Sequence, residues 1–175
     1  ERRERDDQLD RRRGGELMRV HIKGGRIVDP VSGRDAPGDL YLSEGRISET
    51  FATADRVIDA RGRIVAPGFI DLSARLREPG QEHKATLESE MSAAVAGGVT
   101  SVVCPPDTDP PLDEPGLVDM LRRRAKALAH ARLYPLGALT VKLEGRALTE
   151  MAQLADAGCI AFSQANAPLS DTQVL

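Results

Sequence analysis

Residues 66–80 read Ala-Pro-Gly-Phe-Ile-Asp-Leu-Ser-Ala-Arg-Leu-Arg-Glu-Pro-Gly, and the pattern that decides the fold begins here. Residues 69–72 have the apolar character of a buried strand. Residues 86–96 then carry apolar side chains at helical spacing, and Gly97-Gly98 ends that segment. Residues 100–104 form the next strand pattern. A strand, a helix and a strand in this order are typical of a parallel βα unit.

The alternation continues toward the end of the chain. Helices are predicted over 114–130 and 148–157, and strands over 133–137 and 159–162. Such repeats are typical of a Rossmann-like sheet or a (β/α)8 barrel. Because a complete barrel needs about 250 residues, residues 67–175 correspond to the first half of one. We therefore expect the chain to be truncated at about half the barrel.

Before residue 67, apolar and polar residues alternate as they do in β-strands. A β-hairpin is predicted over 20–29, with Gly24-Gly25 between its strands, and four further short strands complete a small β module over 18–66: residues 39–42, 45–47, 56–59 and 63–66. Residues 1–17 are dominated by Arg, Asp and Glu, which predicts a disordered tail.

The composition excludes several classes of function. A net charge of −3 and only 3% aromatic residues argue against nucleic-acid binding. No apolar run is long enough to span a membrane. Cys104 and Cys159 are isolated, which favours buried thiols in a reducing compartment. We expect a cytoplasmic protein.

From Val20 to Phe162 the chain resembles the dihydroorotases, cyclic-amide hydrolases of the amidohydrolase superfamily. The resemblance rests on several stretches in a shared order: Ala66–Asp71, Leu76–Lys84, Ala96–Cys104, Gly137–Thr140, Leu148–Met151 and Ala157–Ser163. It implies a (β/α)8 barrel of the metal-dependent hydrolase type, with a flanking β module built from both chain ends. The site of such a barrel lies at the carboxyl ends of its strands.

The first departure from the family concerns its zinc histidines. In dihydroorotases the first barrel strand leads into His-x-His-Leu-Arg-Glu-Pro-Gly, and the two histidines hold catalytic zinc. The matching residues here are Ser73 and Arg75. A serine hydroxyl is a poor zinc ligand, and a guanidinium has no lone pair to offer. The resemblance therefore implies degenerate ligand positions and no bound cofactor.

Further departures affect the same pocket. Active relatives carry Ser-Asp-Asp-Gly after the fourth strand, where this chain has Ser163 followed by Gln164, Ala165 and Asn166. The ligand positions Gln164 and Ala165 thus lack carboxylates. Relatives also carry an asparagine where Asp107 stands, and it helps to hold the substrate carboxylate.

One substrate residue is retained. Arg77 matches the arginine that grips the dihydroorotate carboxylate in active relatives, so Arg77 and Asp107 are interpreted as a vestigial substrate site. We expect Arg75 and Arg77 to neutralise carboxylates in the pocket, with Arg77 paired to Asp107 or Glu78. Glu78 and Glu82 are otherwise expected to be exposed.

The residues and the resemblance leave three functions open. The first is a catalytically inactive dihydroorotase-like protein of pyrimidine biosynthesis, an oligomeric structural subunit for the aspartate transcarbamoylase catalytic chain. The second is an active cyclic-amide hydrolase with an altered metal site. The third is a small-anion binding module that uses Arg75 and Arg77.

Overall fold

The computed structural model describes residues 18–174. It divides the chain into two compact units, the first ending at Pro67 and the second beginning at Gly68. The tail predicted over 1–17 lies outside the described residues. None of the helices within 18–174 is both long and apolar enough to cross a lipid bilayer.

The first unit contains a mixed sheet in the strand order β3-β2-β1-β4. Strand β1 pairs antiparallel with β2, and it pairs parallel with both β4 and β5. The strands of this unit are β1 Val20–Asp29, β2 Arg34–Ser43, β3 Arg46–Ser48, β4 Arg56–Asp59 and β5 Ile64–Val65.

The hairpin predicted within residues 20–29 is wrong, because Gly24-Gly25 lies inside β1. The pairing with β2 shifts register between Ile22 and Gly25, as at a β-bulge. Gly24 has a φ of +72°, and its N–H donates to Asp39 Oδ1 at 2.8 Å. The hairpin turn therefore follows Asp29, and the third strand predicted over 39–42 is the end of β2.

The second unit is built on a parallel sheet in the order β6-β7-β8-β9. Its elements are β6 Phe69–Asp71, α1 Leu87–Ala96, β7 Val99–Cys104, α2 Pro115–Leu128, β8 Arg132–Ala138, α3 Met151–Ala157 and β9 Ala161–Ser163. The predicted alternation of strands and helices is confirmed.

Local chemistry fixes the ends of the helices. Thr86 caps α1 through a reciprocal capping box with Ser89, and α2 begins at Pro115, which is suited to the first helical position. Helix α3 begins at Met151 and not at the predicted Leu148. Thr149 lies before the helix and donates its hydroxyl proton to the Ala138 carbonyl at 2.7 Å.

The core of the second unit lies between the sheet and its helices. Its buried members come from the loops, from all three helices and from β7, and include Leu87, Met91, Val102, Val118, Leu121 and Leu154. Strand β6 differs, because Phe69 is 68% exposed and Ile70 is 64% exposed. The prediction that residues 69–72 are buried is therefore wrong among the described residues. Within residues 18–174, β6 is an edge strand that pairs with β7 alone.

Candidate functional site

The sequence-predicted site residues follow the carboxyl ends of three strands of the second unit. Ser73, Arg75 and Arg77 come after β6, Asp107 after β7, and Gln164 after β9. Carboxyl ends of parallel strands share one edge of the sheet, and loops at that edge carry the sites of α/β proteins.

Arg75 and Asp107 form an ion pair between neighbouring loops. The Nε of Arg75 donates to Asp107 Oδ2 at 2.7 Å, and both side chains are about two-thirds or more buried. The expectation that Arg75 neutralises a carboxylate in the pocket is confirmed. Its guanidinium therefore has a fixed internal partner, so an anion site made from Arg75 and Arg77 together is disfavoured.

Arg77 contacts neither of its predicted partners, and that prediction is wrong. Its Nη1 donates to Gln81 Oε1 at 3.4 Å, and Lys84 Nζ donates to the same oxygen at 3.0 Å. The backbone of Arg77 is left-handed, with a φ of +63°. Asp107 is bound to Arg75 instead, and Glu78 points to the helices.

Glu78 is only 3% exposed, so the expectation of a solvated side chain is wrong. Its Oε2 accepts the N–H of Leu87, the first residue of α1, at 2.8 Å. A carboxylate is favoured at this position because a helix N-terminus has unpaired N–H groups and a positive dipole end. The other oxygen, Oε1, contacts the guanidinium of Arg124 on α2. Glu82 is exposed, as expected.

The loop after β6 is locked to the loop after β7. The Asp109 N–H donates to the Pro79 carbonyl at 3.1 Å. Gly80 has a φ of +94°, and a Cβ at this position would lie 2.1 Å from the Asp109 carbonyl oxygen. Glycine is therefore required here, both for the backbone conformation and for the close approach of the two loops.

The side chain of Gln164 joins the loop after β8 to the loop after β9. Its Oε1 accepts from the Thr140 hydroxyl at 3.0 Å, and its Nε2 donates to the Leu143 carbonyl at 2.9 Å. Thr140 is fully buried, and sequence reasoning missed it because a lone threonine after a strand carries no distinctive signal. Ala165, the next residue, has a φ of +50°.

The side chains at the family's ligand positions do not fit a zinc ion. Ser73 offers only a hydroxyl, Arg75 has N–H groups but no lone pair for a metal, and Ala165 ends in a methyl group. The amide of Gln164 is already hydrogen-bonded at both ends. Within residues 18–174 no group of three or more His, Cys, Asp or Glu side chains is arranged to hold a metal ion.

Two spaces of very different size adjoin the arginines. The inner one, next to Cys104 and Asp107, has a volume of about 10 Å³, roughly that of a single water probe. The outer one has about 600 Å³ and is lined by Ser73, Arg77, Lys84 and other residues of the loop and α1. Burial raises the pKa of the Cys104 thiol to about 11, so this side chain is not a thiolate nucleophile at neutral pH.

The family model described as dihydro-orotase-like matches residues 62–172. The chain belongs to this family. A dihydroorotase-like protein of Pseudomonas putida is 46% identical over 150 residues, covering 83% of this chain and 35% of the relative. A dihydroorotase of Aquifex aeolicus is 34% identical over 163 residues, covering 91% of this chain and 39% of the relative.

The solved structures identify the fold. An L-hydantoinase (dihydropyrimidinase) from Arthrobacter aurescens matches with a TM-score of 0.68 at 22% identity, covering 83% of this chain and 32% of the hydantoinase. The likeness confirms the expected fold, the first part of a (β/α)8 barrel. The chain spans little more than a third of the curated relatives it matches.

Proposed function

We propose that this dihydroorotase-like chain is catalytically inactive and serves as a structural subunit of aspartate transcarbamoylase. The proposal rests on the ion pair between Arg75 and Asp107, in which Arg75 Nε lies 2.7 Å from Asp107 Oδ2. It puts a cation and its counter-ion at the carboxyl edge of the sheet, where family members hold a metal. The proposal includes assembly into an oligomer with transcarbamoylase catalytic chains in the cytoplasm.

The chemistry of the remaining groups supports inactivity. Zinc in this family supplies a hydroxide near neutral pH and polarises the amide carbonyl. A replacement would need a positioned acid–base pair. His83 is exposed on its loop, and Glu78 is committed to α1 and Arg124. His83 is therefore not held in position as a general base would be. Glu78 is held in position but is not free to accept a proton from a substrate.

The retained architecture supports a structural role. The loops after β6 and β7 are joined by the hydrogen bond from Asp109 to Pro79 and by the Gly80 contact. Those after β8 and β9 are joined through Gln164. Interlocked loops give a rigid surface, and a preorganised surface loses less entropy when it binds a partner.

The test combines turnover with assembly. Purified chain, supplied with zinc, is assayed for ring opening of dihydroorotate, and it is mixed with the aspartate transcarbamoylase catalytic chain of the same genome for sedimentation analysis. We expect no turnover and a defined complex. The double variant S73H/R75H is the matched control, and it should also be inactive because Gln164 and Ala165 still provide no carboxylate. Turnover by the unaltered protein would support the alternative, an active hydrolase with an altered site. Failure to form a complex would contradict the structural role.

A further inference from the structure

We propose that the outer face of helix α2 and the groove beside it form a surface that pairs with the same surface of a second copy of this chain. The groove lies between α1 and α2 and has a volume of about 430 Å³. This contact between copies goes beyond the proposed function, which concerns a transcarbamoylase chain. Two neighbouring surfaces of opposite charge point to it.

The groove between α1 and α2 is acidic. Glu78, Glu82 and Glu88 line it, together with a single cation among the described lining residues, Arg124. Arg124 contacts Glu78, so the exposed Glu82 and Glu88 are left without an ion pair in the described part of the chain. The hydrogen bond from the Gly80 N–H holds the pKa of Glu82 below its usual value. The groove therefore contains two carboxylates that lack a counter-ion.

Part of the same lining is apolar. Leu87, Ala127 and Leu128 place hydrocarbon surface next to the carboxylates. Long cationic side chains bury their methylene stems against such surface and leave the charged head free to meet a counter-ion. The groove therefore fits an arginine or lysine of a protein. A divalent ion fits it less well, because no group of three or more His, Cys, Asp or Glu side chains within residues 18–174 is arranged to hold a metal ion.

A cation of the required kind lies on the outer face of α2. Arg123 is two residues from both Leu121 and Ala125, which corresponds to about 200° around the helix axis, and those two residues are buried in the core. Arg123 therefore faces away from the core, and it is exposed without an ion pair among the described residues. The preceding residue, Arg122, is instead bound to the Ala157 carbonyl at 2.6 Å.

The two surfaces are self-complementary because they adjoin on one helix. Arg124 lines the groove, and Arg123 is the residue before it. When two copies are related by a two-fold axis, the cation of each copy faces the acidic groove of the other, and each attractive contact occurs twice. Arg123 of each copy then enters the groove of its partner copy near Glu82 and Glu88.

The groove does not depend on the open edges of the sheet. Helix α1 connects β6 to β7, and α2 connects β7 to β8. The two helices belong to consecutive βα units, and both walls of the groove lie within the described residues. Its acidic lining is therefore a property of these two helices and of the loop before α1.

The experiment is sedimentation velocity of the full chain alone, over a wide range of protein concentrations and at low and moderate salt. We expect a dimer that weakens as salt is added. The variants R123E and E82K/E88K should each raise the dissociation constant by about tenfold or more, because the symmetry applies each changed contact twice. R63E is the matched control. Arg63 is exposed on the first unit, and its replacement changes the net charge equally but should alter the constant by no more than about twofold.

The combined variant R123E/E82K/E88K reverses both sides of the contact, and its dissociation constant should return to within about threefold of the wild-type value. A chain that stays monomeric at low salt overturns the proposal, and so does a dimer that R123E leaves unchanged. Because no transcarbamoylase is present, either result leaves the proposed function intact. If the chain is monomeric and R123E instead weakens its complex with transcarbamoylase, the face binds that partner, and self-association is overturned.

Discussion

Replacing Glu78 with alanine is expected to lower the free energy of unfolding of the second unit by about 1.5 to 3.5 kcal/mol. Two contacts contribute to this value. Loss of the bond to the Leu87 N–H leaves a buried helix-terminal donor without its partner, which costs roughly 1–3 kcal/mol. Loss of the ion pair with Arg124 adds about 0.5 kcal/mol. The Arg124 side chain is 57% exposed, and Glu78 Oε1 accepts no well-aligned hydrogen bond from it.

Urea denaturation followed by circular dichroism measures this loss. Glu82→Ala is the matched control, since Glu82 lies on the same loop, is exposed and accepts the local Gly80 N–H. It should cost about 0.5 kcal/mol or less. Glu78→Gln keeps an acceptor for Leu87 and should fall between the two. Equal losses for Glu78→Ala and Glu82→Ala would refute the reasoning that burial and the helix N-terminus make Glu78 the more important residue.

Three further predictions concern the core, an exposed carboxylate and the thiols. Leu154→Ala should lower the free energy of unfolding by about 3 kcal/mol in the same assay, because the side chain is fully buried. Hydrogen bonds from Arg61 lower the pKa of Asp59 from 3.8 to about 2. Its stabilisation is therefore present above pH 3.8 and is lost as the pH falls toward 2. An NMR titration should show this, and Arg61→Ala should return the midpoint toward 3.8. Burial raises the pKa of the Cys104 and Cys159 thiols to about 11, so a maleimide reagent at pH 7 should label them only after unfolding.

Features that depend on neighbouring residues could be predicted from the sequence. The bounds of α1 follow from the Thr86 cap, the apolar spacing and the glycines after it. The location of Arg75 and Asp107 at one edge of the sheet follows from the strand order, because parallel strands bring the ends of consecutive βα units together. The sequence prediction nevertheless paired Asp107 with Arg77, and the structure pairs it with Arg75. The prediction of a hairpin turn at Gly24-Gly25 was wrong, because a glycine pair can form either a turn or a β-bulge. The pairing with β2 decides between the two.

Features that depend on distant partners could not be predicted. The buried position of Glu78 depends on its contacts with Leu87 at the start of α1 and with Arg124 on α2. Nothing in the sequence around position 78 distinguishes this carboxylate from the exposed one at Glu82. The hydrogen-bond partner of Arg77 was predicted wrongly for a related reason. Both of its expected partners have stronger contacts elsewhere, and the remaining acceptor, Gln81, is a neutral residue with no motif.

We expect that the side chains of Ser73 and Arg75 do not hold a divalent ion. Anomalous diffraction at the zinc edge, from crystals of the protein soaked in zinc, measures this. We predict no anomalous peak between Ser73 and Arg75, with the ion pair from Arg75 to Asp107 intact. A strong peak there, with protein atoms at zinc-ligand distances of about 2.0–2.3 Å, would contradict the account.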